Sequence, residues 1–113
     1  MRFRDHLDGR IAIFELSGKI MGGRDSTLFQ GRVNEYVNIN RNRILIDMAG
    51  VEWTNSRGLG MLIAALRLVQ GSGGRLALTN IERVRSLLAV SRLATVFEHF
   101  DSRADALEAL RSD

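Results

Sequence analysis

The 113 residues suffice for one domain with one hydrophobic core. Apolar residues make up 45% of the chain and charged residues 26%, a balance that excludes intrinsic disorder. The formal net charge is only +3, and the arginines are scattered from Arg2 to Arg111, so we expect no binding to nucleic acid.

The chain also has no features of secreted or membrane-inserted proteins. Cysteine is absent, which excludes disulfides and thiolate metal sites. The segment 1–6 lacks the apolar core of a signal peptide, and no apolar run approaches the roughly 18 residues that span a membrane. We therefore expect a cytoplasmic protein without membrane insertion.

A hairpin and a helix are predicted first. Two predicted strands, 3–7 and 11–16, flank Asp8-Gly9, a dipeptide favoured in two-residue turns, and Gly18 is expected to end the second strand. Asp25 and Ser26 then offer a cap for a helix. Its apolar positions follow helical spacing: Phe29, Val33, Tyr36 and Val37.

Strands and helices alternate over the rest of the chain. We predict a buried strand at 44–48, a polar loop at 53–60, a helix at 56–70 and a strand at 75–79. Asn80 is expected to cap a helix containing Ile81, Val84, Leu87 and Leu88, and 96–100 forms a last strand. A near-capping box at 102–105 starts the final helix. This order predicts an α/β fold with a mixed, largely parallel sheet.

The loop before the second helix is the most informative segment. It presents the Ser56 hydroxyl at a helix N-terminus, where backbone N–H groups and the helix dipole favour anions. Asn55 or Ser56 caps the helix. A nucleophilic serine needs a base, but His6 and His99 belong to no recognisable constellation, and the Gly-x-Ser-x-Gly elbow is absent. We therefore expect no catalytic residues and no enzyme.

Two further features of this region leave alternatives open. Gly58 and Gly60 are not followed by Gly-Lys-Ser/Thr, so we expect neither a nucleotide cofactor nor a metal. Arg57 opposes the helix dipole, and either it is simply tolerated or it meets an anion or an acidic partner. The helix itself is apolar on nearly every side, so it is either enclosed in the core or reserves one face for a partner.

Three segments together resemble the STAS domain and, more narrowly, the bacterial anti-sigma factor antagonists. They are Ile44 to Trp53, then Thr54-Asn55-Ser56-Arg57-Gly58-Leu59-Gly60, then Gly73 to Leu78. The resemblance implies one STAS domain over 1–113. It also implies a mixed, mostly parallel sheet of four to five strands with about four helices.

The resemblance further implies a non-enzymatic switch in stress or sporulation signalling. In the family, an anti-sigma factor with serine-kinase activity phosphorylates a Ser or Thr of this loop, a phosphatase reverses the reaction, and the unmodified antagonist binds the anti-sigma factor. The phosphorylation candidate here is Ser56. Because this loop is joined to an unusually apolar helix, we expect the binding surface to comprise the loop 54–60, the exposed edge of the helix and residues near 18–25. The expected partner contacts are Thr54, Asn55, Ser56, Arg57, Gly58, Leu59 and Leu62.

The chain departs from the family pattern at three positions. Arg57 stands where the hydroxyl is commonly modified, Asn55 replaces an Asp, and Met21 replaces the Asp that ends a Gly-x-Leu-Asp pattern. Either Ser56 is used instead, or the protein binds constitutively, or Arg57 mimics a permanently charged state. The alternative function is an unphosphorylated accessory subunit of a lipid-transport ATPase or a larger signalling complex. The oligomeric state is left open by the sequence.

Overall fold

A computed structural model describes residues 1–112 of the chain. Within them lie five strands, four α-helices and one 3₁₀ turn. In chain order these are β1 Arg2–Asp8, β2 Ile11–Ile20, α1 Arg24–Asn38, β3 Arg43–Thr54, α2 Ser56–Gly71, β4 Arg75–Thr79, α3 Arg85–Val90, the 3₁₀ turn Leu93–Thr95, β5 Glu98–Phe100 and α4 Arg103–Arg111. No helix among these residues is long and apolar enough to cross a membrane.

The five strands form one sheet in the order β1-β2-β3-β4-β5. The β1–β2 pair is antiparallel and the other three pairs are parallel. The predicted α/β class, with a mixed and mostly parallel sheet, is confirmed. Helices α1 and α2 cover one face of the sheet, where the large apolar cluster lies, and α4 covers the other face.

The central strand β3 is buried from both sides. Ile44, Ile46 and Met48 join the large cluster, whereas Leu45 belongs to the smaller cluster that α4 closes with Leu110. A strand covered on both faces has a continuous apolar run in its sequence instead of an alternating one. The run at 44–48 correctly predicted this strand.

The N-terminal hairpin differs from the prediction at its turn and at its end. Asp8 pairs with Ile11, so the turn residues are Gly9 and Arg10, not Asp8 and Gly9. Gly9 has φ +62°, at the first central position that a type II′ turn reserves for glycine. Strand β2 does not end at Gly18. The register shifts there, as in a β-bulge, and pairing resumes as far as Ile20.

Strand β3 is also longer than predicted, which shortens the loop that follows. Beyond Asp47, where pairing with β4 ends, the strand continues beside β2 alone until Thr54. Val51 in this extension is fully buried. The predicted polar loop at 53–60 is therefore reduced to Asn55, because Trp53 and Thr54 belong to β3 and Ser56 begins α2.

Two of the predicted helix caps are wrong, and a third is confirmed. Helix α1 is preceded by Gly23 with φ +83° and has no side-chain cap; Asp25 and Ser26 lie inside its first turn. Asn80 does not cap α3, which begins only at Arg85. Ser102 does cap α4, since its hydroxyl accepts a hydrogen bond from the Asp105 N–H at 3.1 Å.

The last predicted strand, 96–100, is shortened to Glu98–Phe100. The 3₁₀ turn Leu93–Thr95 precedes it, and the Val96 N–H bonds back to the Leu93 carbonyl instead of joining the sheet. Phe97 is 3% exposed and fills the large cluster. Phe97 is apolar because it packs in the core and not because it pairs in the sheet, and the sequence alone could not distinguish these two roles.

A charged network ties α4 to its face of the sheet. The Asp47 carboxylate accepts hydrogen bonds from the Asn80 side chain at 2.9 Å, the Arg103 guanidinium at 2.7 Å and the Ala49 N–H at 3.0 Å. Arg103 also pairs with Glu15 at 3.1 Å. Burial alone would raise the pKa of Asp47, but these hydrogen bonds outweigh burial and hold the pKa below its usual value. Asn80 has left-handed backbone (φ +56°) and makes this bond instead of capping a helix.

Candidate partner-binding site

Asn55 is the residue that turns the chain from β3 into α2. Its backbone is extended (φ −115°, ψ −173°), and its Oδ1 accepts a hydrogen bond from the Gly58 N–H at 3.0 Å. This is N-cap geometry, which stabilises a helix by about 1 kcal/mol relative to alanine. Of the two predicted capping candidates, Asn55 caps and Ser56 does not.

Thr54 and Gly58 hold the start of α2 against the neighbouring strand. The Thr54 hydroxyl donates to the Ile20 carbonyl at 3.1 Å, and Thr54 is only 4% exposed. A Cβ at Gly58 would lie 2.1 Å from that hydroxyl oxygen and 2.5 Å from the Ile20 carbonyl oxygen. Both residues were predicted as partner contacts, but the structure places them inside the molecule, where close packing requires them.

Leu59 and Leu62 also lie inside and not on the surface. Leu59 is 5% exposed and Leu62 is fully buried in the large cluster. They belong to the stripe of α2 that faces the sheet, and the flank beside α1 is tied by the Gln30 side-chain amide, which donates to the Met61 carbonyl. In this structure Leu62 has no exposed surface to offer a partner. The apolar surplus of α2 is thus mostly explained by the core.

Ser56 and Arg57 project from the tip of α2 into solvent. Within residues 1–112 the Ser56 hydroxyl makes no hydrogen bond, and Arg57 has no ion pair. Arg57 lies over the turn between β2 and α1, because a Cβ at Gly22 would come within 3.1 Å of the Arg57 Cβ. The structure therefore brings the loop together with part of the predicted 18–25 segment.

Two large apolar side chains are exposed beside this tip. Met21 is 50% and Trp53 48% exposed, and they line a groove of about 560 Å³ together with Lys19 and Glu52. Large exposed apolar side chains that cluster are typical of interaction sites. We call Met21, Trp53, Ser56 and Arg57 the tip surface.

The sequence analysis included Met21 only as part of the 18–25 segment and did not name Trp53 as a partner contact. Their proximity depends on the register shift after Gly18, which sets Lys19 opposite Trp53. A tryptophan near the end of a strand, next to a polar loop, was the available signal.

Among the described residues, neither histidine lies on the strand or helix that carries Ser56. His6 lies in β1 and His99 in β5, the two edge strands, whereas Ser56 follows the central strand. Among the described residues, no group of three or more His, Cys, Asp or Glu side chains could hold a metal ion. What the arrangement provides is an accessible hydroxyl at the positive end of a helix dipole, next to a cation and an apolar groove.

Comparisons with known proteins agree with this geometry. The family model for the STAS domain matches residues 4–106. A Thermotoga neapolitana protein named as an anti-sigma factor antagonist, a TM1081 homologue, is 32% identical over 79 residues, which cover 69% of this chain and 70% of that protein. The chain belongs to the STAS domain family.

Solved structures support the fold. The crystal structure of TM1081 from Thermotoga maritima has a TM-score of 0.86 at 24% identity and covers 97% of this chain and 95% of its own. The anti-sigma factor antagonist SpoIIAA in its unphosphorylated form has a TM-score of 0.75 at 14% identity, and the match covers 99% of this chain and 100% of SpoIIAA. At these identities the likeness establishes a shared fold.

Proposed function

We propose that this protein is a non-enzymatic anti-sigma factor antagonist that acts in the cytoplasm and binds an anti-sigma factor with serine-kinase activity. The observation that carries the proposal is the exposed Ser56 hydroxyl at the α2 N-terminus, next to the exposed side chains of Met21 and Trp53. The names of the Thermotoga relatives and membership of the STAS family support it. In this proposal the tip surface is the contact, and the buried residues beneath it hold it in place.

The same geometry supports phosphorylation of Ser56 as the switch. A phosphate adds about −1.5 to −2 charges, and at the first turn of α2 it would meet unbonded backbone N–H groups and the Arg57 side chain. The domain would therefore tolerate the modification. A partner surface that fits a neutral hydroxyl and Trp53 would not tolerate the phosphate, since binding would bury its charge. A phosphatase would restore binding.

One observation favours the alternative, an accessory subunit of a lipid-transport ATPase or a larger signalling complex. Arg57, Gly60, Ala64 and Arg67 are exposed at helical spacing, so two cations flank two small residues on the outer face of α2. A face of this kind allows an acidic partner helix to approach closely without any phosphorylation. Arg57, at the usual modification position, would then belong to a permanent interface.

The first experiment measures the affinity of purified candidate anti-sigma factors for matched variants. Ser56→Glu places a charge on the tip surface, and Ser86→Glu places the same charge in the first turn of α3, where Ser86 is also exposed. We expect Ser56→Glu to weaken binding at least about tenfold, or about 1.4 kcal/mol, and Ser86→Glu to leave it unchanged. Equal affinities for both variants would overturn the proposed surface.

A second experiment separates the switch from constitutive binding. The protein is incubated with ATP and each anti-sigma kinase, and the intact mass is measured for the wild type and for Ser56→Ala. One added phosphate that disappears in Ser56→Ala supports the switch. Tight binding without any added phosphate favours the constitutive binder, and co-purification with an ATPase subunit in place of an anti-sigma factor favours the accessory subunit.

A further inference from the structure

Strand β1 leaves one edge of the sheet open. Within the part of the chain that the structure describes, it is paired only with β2, through seven consecutive residue pairs without a register shift. Natural proteins shield such edges with charged side chains, lysine above all, and with proline, bulges, inward-pointing charges or very short strands. The opposite edge follows this rule, because β5 has only three residues. β1 has seven residues and neither proline nor lysine, but it carries Arg2, Arg4, Asp5 and Asp8, so only a strand with complementary charges can pair with it.

Apolar surface lies beside this open edge. Leu7 is 44% and Ile39 60% exposed, and both line a groove of about 670 Å³ between β1 and α1, with Tyr36 at its base. An exposed strand edge next to exposed apolar side chains is the usual composition of a strand-addition interface, in which main-chain hydrogen bonds and side-chain burial act together.

We propose that β1 pairs antiparallel with β1 of a second copy of this chain, with the two-fold axis at Asp5. The two five-stranded sheets then become one continuous sheet. In this register Phe3 lies opposite Leu7 of the second copy, an apolar pair on the face that α1 covers. Arg2 lies opposite Asp8 of the second copy, a pair of opposite charges. Each contact occurs twice because a two-fold interface is self-complementary.

The neighbouring registers are worse matched. A shift to an axis at Arg4 sets Arg4 against itself and Phe3 against Asp5 of the second copy. An axis at His6 sets Arg4 opposite Asp8, a pair of opposite charges, but it sets Leu7 against Asp5 and removes the apolar pair of Phe3 and Leu7 on the face that α1 covers. Like charges directly opposite one another destabilise a strand pair. The chosen register sets Asp5 against itself, but each Asp5 carboxylate is already paired with Arg32 at 3.0 Å and accepts the Tyr36 hydroxyl at 2.5 Å. The cations offset that repulsion.

This interface does not depend on the proposed function. The tip surface lies at the end of β3, whereas the two-fold axis crosses the middle of β1, two strands away. Because paired β1 strands run in opposite directions, the two tip surfaces of the dimer would point away from each other. Both remain accessible to a partner.

The first test is sedimentation equilibrium of the full chain without a tag, from about 1 μM to 1 mM. We expect a monomer–dimer equilibrium. Leu7→Lys places a charge at the edge and should raise the dimer dissociation constant at least about tenfold. Val90→Lys is the matched control, because Val90 is 83% exposed on α3, and should leave the constant unchanged. A monomer at all concentrations, or equal constants for both variants, would overturn the proposal.

A charge exchange tests the register. Arg2→Asp alone and Asp8→Arg alone each set like charges opposite one another and should weaken the dimer. The double variant restores opposite charges and should recover most of the loss, although the Asp8 contact with Arg111, at 3.3 Å, is lost with Asp8. Losses that add in the double variant would exclude the Asp5 register. Circular dichroism confirms that each variant is folded.

Discussion

The tip of α2 combines an inner and an outer set of residues that are interleaved in the sequence. The inner residues are buried and position the helix, whereas the outer ones point into solvent. The inner set is Thr54, Gly58, Leu59 and Leu62, and the outer set is the tip surface. The predicted binding motif therefore contains two kinds of residue. Substitutions in the inner set should affect stability, and substitutions in the outer set should affect binding.

Among the inner residues, Leu62 is the one whose substitution should lower the free energy of unfolding most. Leu62→Ala removes a fully buried side chain from the large cluster and should lower the free energy of unfolding by about 2–5 kcal/mol. Trp53→Ala removes more atoms but from a half-exposed position, and should cost less than about 1 kcal/mol. Urea unfolding followed by circular dichroism measures both. Equal losses would show that the inner and outer sets are not distinct.

Gly58 and Gly60 provide a sharper contrast, with effects of opposite sign from the same substitution. Gly58→Ala forces a Cβ to 2.5 Å from the Ile20 carbonyl oxygen, which is backbone and cannot move aside easily, so we expect a loss of about 1–3 kcal/mol. Gly60→Ala meets no atom within 4 Å and gains helix propensity of about 0.5–1 kcal/mol. A stable Gly58→Ala protein would contradict the close packing of α2 against β2.

Sequence patterns predicted the parts of the fold that depend on local periodicity. The bounds of β4 and the start of α2 were correct, because Gly74 and Asn80 flank β4 and the capping residue Asn55 precedes α2. The hairpin turn was displaced by one residue, since Asp8-Gly9 and Gly9-Arg10 are both plausible turns and strand pairing decides between them. Asparagine is a common N-cap residue, but the Asn80 side chain instead donates a hydrogen bond to the Asp47 carboxylate, which is distant in sequence.

For the candidate site, the sequence predicted where the tip of α2 lies but not which side chains are exposed there. The sequence located the exposed Ser56 hydroxyl at the helix N-terminus, since a strand, a capping residue and a helix follow one another there. It could not assign Leu62 to the core, because the side of α2 that faces inward depends on where the sheet lies. Trp53 and Met21 come together only through the register shift between β2 and β3. Contacts of that kind are not encoded in local spacing.

The smallest expected stability effects compare Asn55 with Ser56, adjacent residues of similar chemistry. Asn55→Ala removes the hydrogen bond to the Gly58 N–H and should cost about 1 kcal/mol, whereas Ser56→Ala should stay within about 0.5 kcal/mol, since that hydroxyl has no partner among the described residues. Phosphate incorporation by an anti-sigma kinase should follow the reverse order: abolished in Ser56→Ala and retained in Asn55→Ala. If Ser56→Ala destabilised the protein as much as Asn55→Ala does, Ser56 would have a structural role, and the case for a free hydroxyl reserved for regulation would lose its physical basis.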